Sequence, residues 1–311
     1  MKKAIVTGAN GFVGSAVTRE LLRQGVHVVA LVHGNHRDHL PKNSALTVLP
    51  MELVAMLELR DVLKDDDYDI FYHFAWNGSA GAARADTQLQ LANAQWTVDA
   101  LRLAHAVGCR RFVGAGSIME QEVMATVYTQ GSRPGLGNIY SGGKVIAHML
   151  CQTVAAQLGI DLVWPVITNA YGVGEVSARM VNTTIRKILA GEEPQFTAGT
   201  QNYDFVYIDD IARAFYLIGE KGKPFHQYII GSGTARPLKE FLLEMKESIA
   251  PDLPFHFGDV PYTGTNLPLA AFDTKETAHD TGFYASISFA EGVRRTQDWL
   301  RKQDDVVGDD I

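Results

Sequence analysis

The chain has 311 residues, 46% of them apolar and 20% charged, with a formal net charge of −7. That length and apolar content suffice for a substantial core in one large domain or two lobes, while an acidic balance without a basic stripe excludes nucleic acid as the main partner. Two cysteines, Cys109 and Cys151, lack metal-type pairing, Met1 runs straight into a strand-like segment, and no apolar run nears the ~20 residues of a membrane helix. These features point to a reducing cytoplasm, with no membrane span and no metal centre.

Lys3–Thr7 is a short apolar run, followed at once by Gly8-Ala-Asn10-Gly11-Phe12-Val13-Gly14; Val13, Ala16, Val17 and Leu21 then recur at helical spacing. Strand, glycine turn and helix in this order let backbone approach a pyrophosphate at a helix N-terminus. The spacing is GxxGxxG, not GxGxxG, so its position between strand and helix carries more weight than the glycines themselves. A second strand, His27–Val32, ends in Val32-His33-Gly34-Asn35-His36-Arg37. A carboxylate at this end accepts the ribose hydroxyls of NAD, whereas a cation pairs with the extra phosphate of NADP. None stands there, which favours NADP(H), with NAD(H) as the alternative; Arg37 is the expected phosphate partner, with His33 assisting. His33, His36 and His39 have no carboxylate or cysteine ligand set with them and read as a polar loop.

Leu46–Leu49 is a third strand with Glu52 and Leu53 just beyond it, Asp69–Ala75 a fourth and Phe112–Ala115 a fifth. Between the last two, Thr87–Val107 reads as a long helix with Leu89, Ala92, Trp96, Ala100 and Leu103 along one side. This alternation predicts a parallel sheet with helices on both faces and ligands beyond the C-terminal strand ends. Polar exceptions gather at those ends: Asn77, Ser117 in Gly114-Ala-Gly-Ser117, and Pro165-Val-Ile-Thr168-Asn169 after a sixth strand, Asp161–Trp164. Ser117 by itself reads equally as a turn or helix-cap serine.

Tyr140-Ser-Gly-Gly-Lys144 proposes a specific chemical act. Ile146, Leu150, Val154 and Leu158 follow at helical spacing, so Tyr140 and Lys144 stand one turn apart on the same helix face. A free phenol ionises near pH ~10, and a neighbouring ammonium favours the phenolate. Such a tyrosine can hand a proton to a carbonyl oxygen or take one from an alcohol; the pair alone also fits a solvated helix face.

After Gly172 the strict alternation breaks. A helix is expected over Val181–Leu189, a turn at Gly191–Pro194, a strand at Gln195–Ala198, a helix opening at Asp209–Arg213 and a returning strand at Gln227–Ile230. Residues 1–169 with 206–235 are expected to form a dinucleotide-binding domain, 170–205 with 236–300 a smaller lobe over the strand ends, and 301–311 a loose acidic tail. A sugar nucleotide is expected in the cleft between lobes. Trp299 is expected to pack the last helix.

In order and spacing, TGANGFVG at Thr7–Gly14, HFAW at His73–Trp76, Asn93, GAGS at Gly114–Ser117, YSGGK at Tyr140–Lys144, TNAYG at Thr168–Gly172, DFVYIDDIA at Asp204–Ala212 and YIIGSG at Tyr228–Gly233 resemble the extended short-chain dehydrogenase/reductase family. The branch is that of NAD(P)-dependent nucleotide-sugar epimerases, dehydratases and 4-ketoreductases, and the resemblance covers nearly the whole chain. It implies an α/β, Rossmann-like doubly wound parallel sheet with a smaller C-terminal α+β substrate lobe. It also implies Tyr140 as general acid/base, Lys144 on the nicotinamide ribose, and Ser117 hydrogen-bonded to the reacting sugar oxygen. Cofactor contacts are expected from Gly8, Asn10, Gly11, Phe12, Val13 and Gly14, from His33, Arg37, Glu52 and Leu53, and from Phe74, Ala75, Trp76, Asn93, Tyr140, Lys144, Pro165 and Thr168. Substrate contacts are expected from Trp76, Asn77, Arg84, Ser117, Asn169 and Arg179. A homodimer through the two long helices is a further expectation.

The chain departs from the family pattern at several positions. Many relatives carry Arg-Asp-Phe where this chain has Tyr203-Asp204-Phe205, so the arginine that grips a substrate diphosphate is missing, with Arg84, Arg179 and Arg236 as possible substitutes. Pro165 stands where many relatives have arginine. Ile118 and Met119 occupy the places of the two carboxylates that a 4,6-dehydratase needs, which argues against dehydration. Glu120 reads either as an extra acid or as a helix-start carboxylate. Ala75–Arg84 with Gly114–Ser117 is similar to reductases of 4-keto-6-deoxy sugars, so NADPH-dependent reduction of a nucleotide-linked 4-keto-6-deoxy sugar leads. A tight-cofactor 4-epimerase is the alternative, and a non-catalytic NADP sensor or scaffold the remote one.

Overall fold

The structure is a computed structural model that describes residues 1–63, 67–129 and 133–308. The apolar runs of the first half become parallel strands and the periodic segments between them become helices. In chain order these are β1 (Lys3–Thr7), α1 (Phe12–Arg23), β2 (His27–Val32), β3 (Leu46–Pro50), α2 (Arg60–Leu63), β4 (Ile70–His73), α3 (Thr87–Ala106), β5 (Arg111–Gly114), β6 (Gly116–Ser117), α4 (Met119–Met124), α5 (Gly137–Leu158) and β7 (Asp161–Ile167). There follow β8 (Asn169–Tyr171), α6 (Met180–Leu189), β9 (Gln195–Phe196), β10 (Asn202–Tyr203), β11 (Phe205–Tyr207), α7 (Ile208–Lys221), β12 (His226–Ile230), β13 (Arg236–Pro237), α8 (Leu238–Ile249), β14 (His256–Phe257), α9 (Lys275–Thr281) and α10 (Phe289–Gly308).

The main sheet runs β12-β7-β5-β4-β1-β2-β3, with β6 also pairing β7. Its pairings are parallel. Ala4, Ile5 and Val6 of β1 are fully buried, as a strand covered on both faces requires. From β1 the order runs one way through β2 and β3, and the other way through β4 and β5. That reversal is the switch point at which such sheets open a crevice beyond their strand ends.

Two compact units emerge. The first is Met1–Ile167 with Ile211–Ile230 and Thr274–Phe283; the second is Thr168–Asp210 with Gly231–Asp273 and the chain from Tyr284 on. Thr274–Phe283, expected in the smaller lobe, packs with the first unit for a visible reason. Thr277 Oγ1 donates to the Ile229 carbonyl of β12 at 2.8 Å, and Asp280 accepts from Tyr228 Oη at 2.9 Å and pairs with Lys223 at 2.7 Å.

Three other expectations change. Pro165 does not follow a strand but lies inside β7, opposite Tyr228 of β12. A proline is tolerated there because the other edge of β7 changes partner, pairing β5 up to Val163 and β6 from Val166. The loose tail is instead helical as far as Gly308, because α10 is seated by the fully buried Val293 and Leu300; residues 309–311 lie outside the described residues. On α5 the buried face is Tyr140, Lys144, Ala147, Cys151 and Ala155, whereas Ile146 and Leu150 of the predicted stripe are exposed. Among the described residues no helix is long and apolar enough to cross a membrane, and no group of His, Cys, Asp and Glu could hold a metal ion.

Candidate active site

β1 and β4 lie side by side with Thr7 opposite His73, and one hydroxyl ties their ends together. Thr7 Oγ1 is 2.9 Å from His73 Nδ1 and accepts from the backbone N–H groups of Phe74 and Ala75. Gly8 then turns with φ +64°, and a Cβ there would stand 2.7 Å from the Ala75 nitrogen. At Gly14 an added Cβ would stand 2.1 Å from the Gly8 carbonyl oxygen, so α1 reaches the turn only without a side chain. Gly11 is the N-cap of α1; no side chain caps it and the first turn holds no acidic residue. The N–H groups of Phe12, Val13 and Gly14 and the helix dipole are thereby left for an anion, which fits a dinucleotide pyrophosphate.

Asn10 is engaged elsewhere. Its side-chain oxygen accepts from the His39 backbone N–H and its carbonyl lies against His39 Nδ1, both at 2.9 Å, which pins the loop after β2 to the glycine turn. Arg37 is exposed on that loop. β2 and β3 pair with Val32 opposite Pro50, and this register carries Glu52 to His33: Oε2 and Nε2 are 3.3 Å apart, with both side chains more than half exposed. The carboxylate absent from the end of β2 therefore arrives from the end of β3. Leu53 opens the short 3₁₀ turn that follows.

The loop after β4 is tied down by α3. Trp76 Nε1 donates to Gln90 Oε1 at 2.8 Å, and Gln90 Nε2 donates to the carbonyls of Gly78 and Ala83. Asn93 clasps the Asn77 backbone twice, accepting from its N–H and donating to its carbonyl, each at 2.8 Å. Gln90 and Asn93 are both buried. Asn93 thus shapes the loop through Asn77. Gln90, which sequence reasoning missed, was signalled only by a polar residue on the buried face of a long helix.

Trp76 is the piece around which the α5 residues collect. The Lys144 ammonium lies 3.8 Å from the centre of the indole and donates to the Ala115 carbonyl at 3.0 Å. Tyr140 meets the same indole edge-on at 5.9 Å, and the Arg84 guanidinium lies 4.5 Å from the centre of the Tyr140 ring. Arg84 Nη2 also reaches Met119 Sδ, next to the Ser117 turn. Ser117 Oγ accepts from the Met119 N–H at 3.3 Å, and its own N–H donates to Glu120 Oε1 at 2.8 Å. Trp76 therefore meets both Lys144 and Tyr140, Arg84 covers the Tyr140 ring, and Ser117 joins them through its neighbours Ala115 and Met119.

Burial lowers the Lys144 pKa to about 8, and the charge of Glu120 opposes that fall. His73 is pushed down to about 3 by burial first and by the Lys144 charge second, so its imidazole is neutral. His73 Nε2 has no hydrogen-bond partner among the described residues. Burial raises the pKa of Glu122, with Arg84 acting against it. What results is a desolvated ammonium one helical turn from a phenol, the setting in which a tyrosine works as an acid or base near neutrality.

The remaining expected residues belong to the second unit. Thr168 is buried. Asn169 opens β8, donating its N–H to the Asp204 carbonyl at 3.0 Å. Arg179 is the N-cap of α6 and pairs with Glu175 at 3.2 Å while half exposed. Tyr203 of β10 sits directly opposite Arg236 of β13, whose guanidinium lies 4.1 Å from the centre of the Phe241 ring and pairs with Glu244.

The fold and site define a dinucleotide-dependent enzyme of the extended short-chain dehydrogenase/reductase type. The chain belongs to the NAD dependent epimerase/dehydratase family, whose model matches residues 4–231. It is 24% identical to a UDP-glucose 4-epimerase from Mycolicibacterium smegmatis, over 97% of this chain and 99% of that protein. It is 21% identical to a dTDP-glucose 4,6-dehydratase from Haemophilus influenzae, over 96% and 98%. Among solved structures it resembles the Bordetella bronchiseptica enzyme WbmF in complex with NADH, with a TM-score of 0.78 and 21% identity, over 99% of this chain and 94% of that one.

Proposed function

We propose that the protein reduces the 4-keto group of a nucleotide-linked 4-keto-6-deoxy sugar. In this reading the first unit holds the dinucleotide. The glycine turn at Gly8–Gly14 receives the pyrophosphate, and the bound nicotinamide supplies the hydride. Tyr140 delivers its proton to the carbonyl oxygen while Ser117 donates a hydrogen bond to that oxygen. Lys144 holds the nicotinamide ribose and favours the phenolate left behind. Trp76, Asn77 and Arg84 frame the sugar. Ile118 and Met119 stand at the two positions where a dehydratase carries its carboxylates, and the Glu120 carboxylate is engaged by the Ser117 backbone N–H and Trp164, so the proton inventory fits carbonyl reduction better than loss of water.

The observation that carries reduction is the packing of Trp76 and Arg84 against the Tyr140 ring. Two side chains hold the ring of the acid/base residue in place. A 4-epimerase must turn its keto intermediate over and present the opposite face, which such packing hinders. For the dinucleotide, the Glu52 carboxylate beside His33 removes the premise for NADP(H). We propose NAD(H), with Glu52 accepting the adenosine ribose hydroxyls.

The test is a spectrophotometric screen of NADH and NADPH oxidation against a panel of 4-keto-6-deoxy nucleotide sugars. Turnover with a cofactor that dissociates is expected. Epimerisation is the second reading, favoured by the M. smegmatis relative. Protein purified with stoichiometric, tightly held NAD⁺ and no net oxidation would select it over ours. Tyr140→Phe is expected to cut kcat by roughly 10²-fold or more while dinucleotide binding survives; unchanged turnover would remove the acid/base role from Tyr140, and dinucleotide binding with no turnover in the wild type would leave only a non-catalytic binder.

A further inference from the structure

Behind the Ser117 strand lies a buried polar cluster with no part in the proton transfer just described. Glu120 is 4% exposed. Its Oε1 accepts from the Ser117 N–H at 2.8 Å, both carboxylate oxygens lie 3.3 Å from Trp164 Nε1, and Oε2 lies 3.4 Å from His148 Nδ1. The His148 and Trp164 rings are stacked, with centroids 4.5 Å apart and planes 2° from parallel. β5 and β6 lie flat on this platform because alternate residues are glycine. A Cβ at Gly114 would stand 2.2 Å from the Trp164 ring, and one at Gly116 would stand 2.6 Å from its Nε1 and 2.9 Å from Glu120 Oε1. The intervening Ala115 gives its carbonyl to Lys144. A buried carboxylate without compensation is costly, and a helix-start role requires no such burial.

We propose that Glu120 is a positioning residue for hydride transfer, fixing the Ser117 turn through its N–H and supplying the negative charge that faces the Lys144 ammonium. The inference rests on the 4-keto reductase reading for its activity readout. His148 shares the helix of Lys144 one turn further on, so α4, α5 and β7 converge on a single carboxylate. Around the Lys144 ammonium stand Glu120 from α4, neutral His73 from β4, the Trp76 ring, the Ala115 carbonyl and Tyr140 one turn earlier on its own helix. Glu120 is the charge among these that holds the proton on Lys144, opposing the effect of burial.

The two roles separate in two conservative variants of the full chain. Glu120→Gln keeps an oxygen for the Ser117 N–H but removes the charge; Glu120→Asp keeps the charge but withdraws it from the N–H. Glu120→Gln is expected to move the alkaline limb of the pH–kcat profile to lower pH. Glu120→Asp is expected to leave that limb in place and lower kcat by roughly 10-fold or more through misplacement of Ser117. Lys144 Nζ is titrated in parallel by NMR, and folding is checked by circular dichroism and Tm. An unmoved limb and an unmoved Lys144 titration in Glu120→Gln, or identical behaviour of the two variants, would overturn the proposal. If Glu120→Gln fails to fold, wild-type kcat in Glu120→Asp overturns it. If the wild type turns over no sugar in the panel, the reductase reading has failed, and the Lys144 titration alone decides this inference.

Discussion

Lys144 holds its proton against burial, and that has a direct kinetic consequence. Its folded-state pKa lies at about 8, below the ordinary lysine value of 10.5. In the proposed mechanism the ammonium, not the amine, favours the Tyr140 phenolate and binds a ribose hydroxyl. Activity that depends on it is therefore fully present below that pKa and is lost as pH rises through about 8. His73 is already neutral down to about 3 and adds no limb of its own between. A pH–kcat profile falling on its alkaline side near pH 8 is the expected outcome, and a flat profile to pH 10 would show that Lys144 is not required charged. Gly114 offers a test of the same site's framework, since its substitution by alanine drives a Cβ to 2.2 Å from the Trp164 ring. Overpacking of this kind costs about 1–3 kcal/mol. A lower denaturant midpoint for Gly114→Ala, with loss of kcat as the Ser117 turn shifts, is expected. The tyrosine and lysine were legible because they are four apart on one helix. Glu120, His148 and Trp164 were not, because three elements bring them together and nothing in their spacing announces it.

At the scale of elements, α5 shows where sequence periodicity misleads. Ile146, Leu150, Val154 and Leu158 recur as a core stripe should, yet small residues, Ala147, Cys151 and Ala155, face the interior because α3 and α5 pack closely. Gly143 shows how closely: a Cβ there would meet the Gln90 carbonyl oxygen at 2.9 Å. Ile146, Met149 and Leu150 are left 38%, 64% and 45% exposed, and Leu91 of α3 is 50% exposed. Apolar residues patterned as for a core but facing outward fit a second copy of this chain, which is our proposal for the homodimer. Sedimentation equilibrium should give twice the chain mass for the wild type and the chain mass for Met149→Glu/Leu150→Glu. A monomeric wild type would remove the proposal. The first two strands were legible to the residue, since Ala4–Val6 and Val28–Val32 are continuous apolar runs buried on both faces, whereas β7 runs three residues past its expected end and β6 was not expected. The two-residue strands β9, β10, β13 and β14 carry no period that a sequence can display.

At the scale of the molecule, the parallel sheet followed from the alternation of strands and helices, but its strand order and the side-chain partners across strands did not. Val32 opposite Pro50 is a matter of register, and only register brings Glu52 to His33. In the proposed reading cofactor choice therefore turns on a residue from the end of the next strand. The His33–Glu52 pair is exposed, and such pairs are worth no more than about 1 kcal/mol, so its breakage would not by itself discriminate against NADPH. In the NAD(H) reading the carboxylate acts on the ligand itself, accepting from ribose hydroxyls and repelling a 2′-phosphate. A ligand that binds only the folded protein stabilises it by about 2.7 kcal/mol at 100 times its Kd. For a chain of this size that is a rise in Tm of several degrees, enough to rank two dinucleotides without knowing the substrate. With equal concentrations of NADH and NADPH, NADH should give the larger rise. Glu52→Gln should narrow the gap between them and Arg37→Ala should leave it unchanged. A larger rise with NADPH that Arg37→Ala abolishes would restore the phosphate site to the loop after β2 and give the cofactor assignment back to NADP(H).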